Sequence, residues 1–253
     1  MNAISARKWR SDRRGSPPRP LALRLQEGFS APEWPDCDRP AFVRQWSDLA
    51  CAAVSPNPFN EPWFALPGLR AFDPEGDVRI ASLVKDGRLV GLLPVTASTR
   101  YHGRPLPHLA GWGHANCFCG EPLILPGFEQ EFWRGLLAWA DRESGFATFF
   151  HLRGIPADSP TLRALYSVCE HQGRAFAIVH REDRAVLNHG LSPVEHLAAA
   201  ASKKRRKDWS RRLRRLGEEG DLRFSRHDDA QGLETWIEEF LALERTGWKG
   251  AEN

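Results

Sequence analysis

The sequence has few cysteines and no long apolar run, and these two absences limit the classes of protein that it can represent. Its five cysteines are an odd number in 253 residues. No secretory signal precedes them, so they do not predict a disulfide framework. No stretch approaches the ~18 apolar residues that a membrane-spanning helix needs. We therefore expect a cytoplasmic protein without a membrane span.

The motifs of several common enzyme classes are also missing. There is no nucleophile elbow, no zincin helix and no kinase signature. Gly111-Trp112-Gly113 lacks the spacing of a dinucleotide-binding or P-loop motif. His114, Cys117 and Cys119 could begin a zinc site, but no second pair of ligands follows at a usual spacing. We predict no metal site and assign no catalytic residue from these patterns.

What the chain does contain is an alternation of strand and helix patterns from residue 21 to residue 190. Asp86-Gly87 predicts a two-residue hairpin turn between strands Val78–Val84 and Arg88–Val95. Pro94 cannot donate to a ladder, so the second strand should bulge or leave the sheet there. The other predicted strands are 21–26, 106–112, 122–125, 147–152 and 174–186, and the predicted helices are 39–53, 61–72, 129–142 and 160–169. This pattern predicts an α/β (α+β) domain.

A basic segment follows this domain. Ser192-Pro193-Val194-Glu195 has the pattern of a capping box, which predicts a helix from about residue 193 to residue 219. Residues 203–215 carry nine Lys or Arg against the single Asp208. A nucleic-acid site would use such charges, but Trp209 lies on the apolar stripe of this helix and is expected to be core. Contact with acidic surfaces or with a polyanionic substrate explains the charges equally well.

The two ends of the chain differ from the middle. Residues 1–20 are basic and proline-containing, which predicts a disordered tail. Residues 221–225 predict a strand, and residues 229–245 predict an amphipathic helix. One strand and one helix cannot bury a core of their own, so self-association through residues 229–245 is one expected outcome. Five apolar residues form the stripe of this helix: Leu233, Trp236, Ile237, Phe240 and Leu241.

Five short motifs, in this order and spacing, resemble one protein family. They are Asn57-Pro-Phe59, Gly91-Leu-Leu-Pro-Val95, Glu121-Pro-Leu-Ile124, Ser202-Lys-Lys-Arg-Arg206 and Phe240-Leu-Ala-Leu-Glu244 leading to Gly247-Trp-Lys-Gly250. The chain resembles the GNAT-type acyltransferases associated with bacterial cellulose biosynthesis, the CelD/BcsL family. These are similar to the Fem-type transferases, which carry two GNAT-like folds in tandem.

The resemblance implies a division of the chain into four parts. Residues 1–20 would be the disordered basic tail, and residues 21–190 would be a first GNAT-like domain with a mixed sheet flanked by helices. Residues 191–220 would be the basic linker helix. Residues 221–253 would be the opening strand and helix of a second, incomplete GNAT-like domain, so we expect a C-terminally truncated chain.

The activity implied is transfer of an acyl group from acetyl-CoA or another acyl-CoA to an amine or hydroxyl of a small-molecule or saccharide-linked acceptor. The [Gln/Arg]-x-x-Gly-x-[Gly/Ala] loop that holds the donor's diphosphate in GNAT enzymes is absent, so we assign no cofactor to this chain and expect an inactive copy. A non-catalytic binding domain is the alternative, and a nucleic-acid binder ranks below it. Six residues are the predicted substrate-binding set: Lys203, Arg205, Arg206, Trp112, His114 and Asn116.

Overall fold

The computed structural model describes residues 26–184, 190–226 and 228–247. The predicted tail at residues 1–20 lies outside these ranges, as does most of the strand predicted at residues 21–26. The chain divides into two compact units, residues 1–179 and residues 180–253. No helix in the described ranges is long and apolar enough to cross a bilayer.

The first unit alternates strands and helices along the described chain. Its elements are β1 Gly28–Ser30, α1 Trp34–Cys37, α2 Pro40–Ala52, a 3-10 helix Pro58–Asn60, α3 Pro62–Phe72, β2 Arg79–Lys85, β3 Arg88–Ser98, β4 His108–Gly111, β5 Leu123–Ile124, α4 Glu129–Glu143, β6 Phe150–His151 and α5 Pro160–His171.

These strands form one mixed sheet in the order β1-β2-β3-β4-β6, and β5 also pairs with β3. Every pairing is antiparallel except that of β4 with β6, which is parallel. Residues 89–95 of β3 are all buried. Because successive side chains of a strand point to opposite faces, both faces of the sheet must be covered. The predicted fold class, a mixed sheet flanked by helices, is confirmed.

Two buried tryptophans connect this core to the segments around it. The indole N–H of Trp46 in α2 donates to the main-chain oxygen of Asn60 at 2.7 Å, and that of Trp133 in α4 donates to the main-chain oxygen of Thr161 at 2.8 Å. Both side chains are fully buried. A buried indole needs such a partner, so each bond fixes one connecting segment against a helix.

Pro94 does not disturb β3, contrary to the sequence prediction. The strand continues to Ser98, Pro94 pairs in register with Ile80, and the register irregularity lies at Leu83 and Val84. The Pro94 oxygen accepts from the Trp112 N–H at 2.8 Å, so the residue's polar side faces away from β2. On that side β5 is the neighbour of β3 before Pro94, and β4 is its neighbour after Pro94. Neither strand therefore needs the N–H that proline lacks.

The second unit contains α6 Pro193–Ala200, α7 Lys203–Glu218 and α8 Leu233–Thr246. The predicted capping box is confirmed, since the Ser192 hydroxyl accepts from the Glu195 N–H and the Glu195 carboxylate accepts from the Ser192 N–H. The single helix predicted over residues 193–219 is wrong. Ala201 and Ser202 are extended, and the Ser202 hydroxyl caps α7 by accepting from the Arg205 N–H at 3.3 Å. A serine favours this capping position over a helix interior.

Two predicted strands are also absent from the described part of the chain. Residues 174–184 and 221–225 have no strand structure. Their apolar residues are exposed, as Val179 at 68% and Phe224 at 79% illustrate. A strand needs a partner to satisfy its backbone groups, and among the described residues β6 pairs only with β4. The helix predicted from residue 229 begins later, at Leu233.

Candidate functional site

The carboxyl ends of the parallel strands β4 and β6 lie side by side. Their ladder stops at the pair Ala110–His151. Beyond it, the Arg153 side chain donates from Nη2 to the Gly113 oxygen at 2.8 Å, in place of a main-chain bond. Ligands of open sheets with parallel strands bind beyond such carboxyl ends. The residues that leave β4 here are therefore the candidate site of the first unit.

Residues 112–119, which we call the His114 loop, fold back over α3. The His114 ring stacks on Phe64 and on Phe72, with centroid distances of 5.6 and 4.5 Å, and meets the Trp112 ring at 5.7 Å. Its Nδ1 accepts from the Asn116 main-chain N–H at 3.3 Å. The structure thus brings together the three predicted site residues of this loop, although their role in binding stays a prediction.

The far nitrogen of the His114 ring is buried without a partner. Its Nε2 is the one buried side-chain N or O atom in the described ranges that lacks a hydrogen bond. A Cβ added to Gly68 in α3 would lie 2.9 Å from this atom. Only a glycine therefore allows the ring to approach α3 this closely. An unpaired buried polar atom costs stability, and such atoms are rare in folded proteins.

A buried amide network, formed by Asn57, Asn60 and the main chain of Glu121, anchors the far end of this loop. Asn57 Nδ2 donates to the oxygens of Glu121 and Cys119 at 2.6 and 3.3 Å, and its Oδ1 accepts from the Phe59 N–H at 3.1 Å. Asn60 Nδ2 donates to the same Glu121 oxygen at 2.8 Å. The network joins the Asn57-Pro-Phe59 and Glu121-Pro-Leu-Ile124 motifs.

The Glu121 side chain is buried and points to the start of α5. Its Oε1 accepts from the Thr161 hydroxyl, and the Ser159 and Thr161 hydroxyl oxygens are 3.0 Å apart. The Ser159 oxygen accepts from the Leu162 N–H, so its proton is available for Thr161. A carboxylate near a helix N-terminus is favoured by the helix dipole. This arrangement is a structural anchor of α5.

Histidines surround Tyr101 beside the same strands. The Tyr101 ring meets His102, His108 and His151 at centroid distances of 4.4, 5.3 and 5.2 Å. Burial lowers the pKa of His151 below its ordinary value, and the charges of His108, Arg153 and His102 lower it further. His151 in the folded protein therefore binds its proton more weakly than in the unfolded chain.

The stability of the protein should consequently fall as the pH drops through the ordinary histidine range near about 6.5, because there the unfolded chain takes up a proton before the folded protein does. Above that range the His151 contribution is fully present. His151→Gln should flatten this decline, as measured by urea unfolding on both sides of pH ~6.5. The exposed His180 gives the control, and a His180→Gln variant that flattens the curve equally would contradict the assignment.

The cysteines of the His114 loop do not assemble a metal site in the described part of the chain. Cys117 and Cys119 are both partly buried. Across the described ranges, no group of three or more His, Cys, Asp or Glu residues is arranged to hold a metal ion.

The other three predicted site residues belong to the second unit, where α7 divides them. Lys203 and Arg206 border one basic face of the helix together with Lys207, Ser210, Arg211 and Arg214. Arg205 lies on a different face, with its guanidinium 5.6 Å from the centre of the Trp209 ring. The three residues therefore do not form one cluster, and their role in substrate binding stays a prediction.

The start of α4 tests whether the diphosphate of an acyl-CoA would fit the crossover between β5 and β6. Glu129 accepts from the Gly127 N–H at 2.9 Å through its own Oε2, and the first turn of α4 also carries Glu131. Glu131 pairs with Lys85 at 2.7 Å. A helix start binds anions through free N–H groups and its dipole, but here the first turn itself carries two carboxylates, Glu129 and Glu131, which would repel an anion. These residues do not fit a diphosphate.

Sequence reasoning did not identify the contacts that shape the site. Arg153, Thr161 and Gly68 lie far from the His114 loop along the chain and carry no motif of their own. The prolines beside Asn57 and Glu121 mark turns, but nothing in them indicates that the two turns meet. A pairing between Asn57 and Glu121, 64 positions apart, requires the fold to be known.

Three solved structures to which this chain is similar are acetyltransferases. The aminoglycoside 6'-N-acetyltransferase AAC(6')-IG of Acinetobacter haemolyticus is 15% identical, with a TM-score of 0.35 over 65% of this chain and 99% of that chain. The ribosomal-protein-alanine N-acetyltransferase of Brucella melitensis is 14% identical, with a TM-score of 0.39 over 62% and 99%. The glucosamine-6-phosphate N-acetyltransferase of Arabidopsis thaliana is 13% identical, with a TM-score of 0.36 over 62% and 99%.

These likenesses are distant, and no residue role is carried over from them. No protein-family model matches the sequence, and no curated protein matches it either.

Proposed function

We propose that this protein is a member of the GNAT-type acyltransferases that does not itself bind the acyl donor. Two features of the chain support the proposed membership of this family. Three of the five motifs of the resemblance lie in the first unit, and the parallel pair β4 and β6 stops pairing at Ala110 and His151. The resemblance implies that a diverging strand offers a main-chain N–H to the reacting carbonyl, and this is where β4 and β6 part.

The second part of the proposal, that this chain does not bind the acyl donor, depends on the residues at the start of α4. In a complete relative, acyl-CoA supplies a thioester whose carbonyl an amine or hydroxyl attacks. In this chain the Glu129 carboxylate accepts from Gly127, so like charges would meet if a diphosphate approached. Another helix that follows a sheet strand, α5, has the Glu121 carboxylate near its start. We therefore derive no transfer step for this chain.

The finer functional assignments depend on the sequence resemblance alone. These are the link to cellulose biosynthesis, the saccharide-linked acceptor and the second GNAT-like domain at residues 221–253. A non-catalytic binding domain is the second candidate function, and the same acidic helix start favours it. Under that function the His114 loop would bind a small molecule without reacting with it, with Trp112 and Asn116 as contacts.

Calorimetric titration of the full chain with acetyl-CoA should give no saturable heat of binding, because the Glu129 and Glu131 carboxylates in the first turn of α4 would repel the diphosphate. Titration with free CoA tests the same point without the thioester. Thermal unfolding in the presence of either ligand gives an independent measurement, since a ligand that binds the folded state raises the melting temperature.

Micromolar binding that is abolished by Trp112→Ala would contradict this expectation and would place a working donor site in the first unit. Trp63→Ala is the matched control, because Trp63 lies on α3 near the same loop and is 64% exposed. If both variants abolish binding, the aromatic surface of the first unit takes up the ligand, and the proposed absence of a donor site is still wrong.

A further inference from the structure

Helix α7 carries a strongly basic surface. Its 16 residues contain nine Lys or Arg and two acidic residues, Asp208 and Glu218. Asp208 pairs with Arg211 and Arg212 at 2.6 and 2.8 Å. The basic face, defined above by Lys203, Arg206, Lys207, Arg211 and Arg214, includes no acidic residue. Within the described ranges, Lys203, Arg206 and Lys207 have no ion-pair partner. This face is therefore left with uncompensated positive charge.

The same helix has an apolar face on another side. Trp209, Leu213 and Leu216 follow helical spacing and are 41, 50 and 52% exposed. The Arg205 guanidinium lies over the Trp209 ring, so this face also borders on positive charge. The sequence predicted that Trp209 would be core, and its exposure shows that this prediction is wrong for the described residues. For comparison, Phe132, Trp133 and Leu136 on the apolar face of α4 are fully buried.

We propose that α7 docks on an anionic lipid surface, lying in the plane of the bilayer interface. A helix with Lys and Arg on its polar side and Trp and Leu on the other has the two properties that such a surface requires. The positive charges are attracted to anionic headgroups, and the apolar side chains enter the boundary between headgroups and acyl chains. The Ser202 cap holds the helix in the free protein, so little ordering is required on binding.

The presence of a basic face and an apolar face on one helix favours a lipid surface over nucleic acid as its partner. Phosphates of a duplex would engage only the basic face, and Leu213 and Leu216 would remain in water. A bilayer interface accommodates both faces together. The charges of α8 provide a second comparison within the unit. That helix exposes a similar apolar face but carries four Glu and one Arg, so an anionic surface should repel it.

Sedimentation of the full chain with vesicles tests the proposal. Binding is expected to vesicles of phosphatidylcholine mixed with phosphatidylserine and to be absent with phosphatidylcholine alone. The double variant Lys203→Gln/Lys207→Gln should bind about 25-fold more weakly, at about fivefold for each lost charge. Leu213→Gln should weaken binding about tenfold, because one partly buried leucine is lost from the interface.

Matched variants distinguish this surface from the rest of the molecule. Leu241→Gln on α8 replaces a leucine that is 50% exposed, as Leu213 is, and should leave binding unchanged. Arg44→Gln/Arg142→Gln removes two exposed charges from the first unit and should also have little effect. These controls keep the test valid if one variant folds poorly, since circular dichroism identifies that variant.

Four results would overturn the proposal. Equal binding to neutral and anionic vesicles would show that headgroup charge does not drive the association. No binding to either kind of vesicle would show that α7 does not dock on lipid. Loss of binding in Leu241→Gln as well as Leu213→Gln indicates a general apolar surface or a second copy of the chain as the partner. Tighter binding to generic duplex DNA than to vesicles at the same salt, unaffected by Leu213→Gln, assigns α7 to nucleic acid instead.

Discussion

The Asn57→Ala variant should melt roughly 10 °C below the parent protein, because the substitution removes every bond that this side chain makes in the buried amide network. Asn57 is fully buried. Truncation leaves the oxygens of Glu121 and Cys119 and the N–H of Phe59 without this partner. Stranding several buried polar groups costs about 3 kcal/mol. For a chain of this size, each kcal/mol lowers the melting temperature by about 2–4 °C.

Two further variants separate the loss of hydrogen bonds from the loss of volume. Asn57→Asp keeps the size of the side chain but replaces the Nδ2 donor by an acceptor that faces two main-chain oxygens, so it should be at least as destabilising as Asn57→Ala. Asn116→Ala is the control, because this exposed residue bonds to His114 through its main-chain N–H. Calorimetric melting curves in which Asn57→Ala and Asn116→Ala behave alike would show that the network does not hold the fold.

Signals that lie close together in the sequence predicted the local structure well. Asp86 and Gly87 have φ values of 50° and 71°, the left-handed conformation that a two-residue hairpin turn requires. Ser159 caps α5 through the Leu162 N–H, as its position before Pro160 indicates. In both cases the determining contact lies within a few residues, so the sequence contains all of the necessary information.

The wrong predictions of local structure concern residues whose conformation depends on a neighbouring element. Whether Pro94 disrupts β3 depends on which strand lies beside it where another residue would donate its N–H. On that side the neighbour of β3 changes from β5 to β4. Ser202 can continue a helix or cap the next one, and the apolar stripe alone does not distinguish these alternatives. Residues 174–184 have the composition of a strand, yet the described chain provides no partner for them. Long-range pairing is the missing information in each case.

The candidate site shows the same division between near and distant contacts. Trp112, His114 and Asn116 were predicted together because they are neighbours in the chain, and the structure keeps them in one loop. The stacking of His114 on Phe64 and Phe72 depends on the packing of α3 against that loop, which no motif encodes. The exposed apolar face of α7 was missed for a similar reason, since an amphipathic pattern predicts burial without identifying the partner.

The second large effect is expected at Gly91 in β3, where Gly91→Ala should destabilise the first unit by about 3 kcal/mol. An added Cβ would lie 2.5 Å from Cδ2 of Phe132 and within 3.2 Å of two other ring atoms. The ring cannot turn away easily, because it is fully buried and packs against Phe29 at a centroid distance of 5.9 Å. The strand cannot retreat either, since Gly91 is paired with Leu83 and Ile124.

A double-mutant cycle with Phe132→Leu tests this steric cause directly. The smaller side chain makes room for the Cβ, so the double variant should be more stable than the sum of the two single losses predicts, with a coupling of about 1–2 kcal/mol in urea unfolding. Gly217→Ala is the control for glycine itself, because a Cβ at that position in α7 has no atom within 4 Å apart from the adjacent residues and the backbone of the helix. Alanine there should be neutral or stabilising by up to about 1 kcal/mol. If the losses in the free energy of unfolding were strictly additive, Gly91→Ala would destabilise the first unit for a reason other than contact with the Phe132 ring.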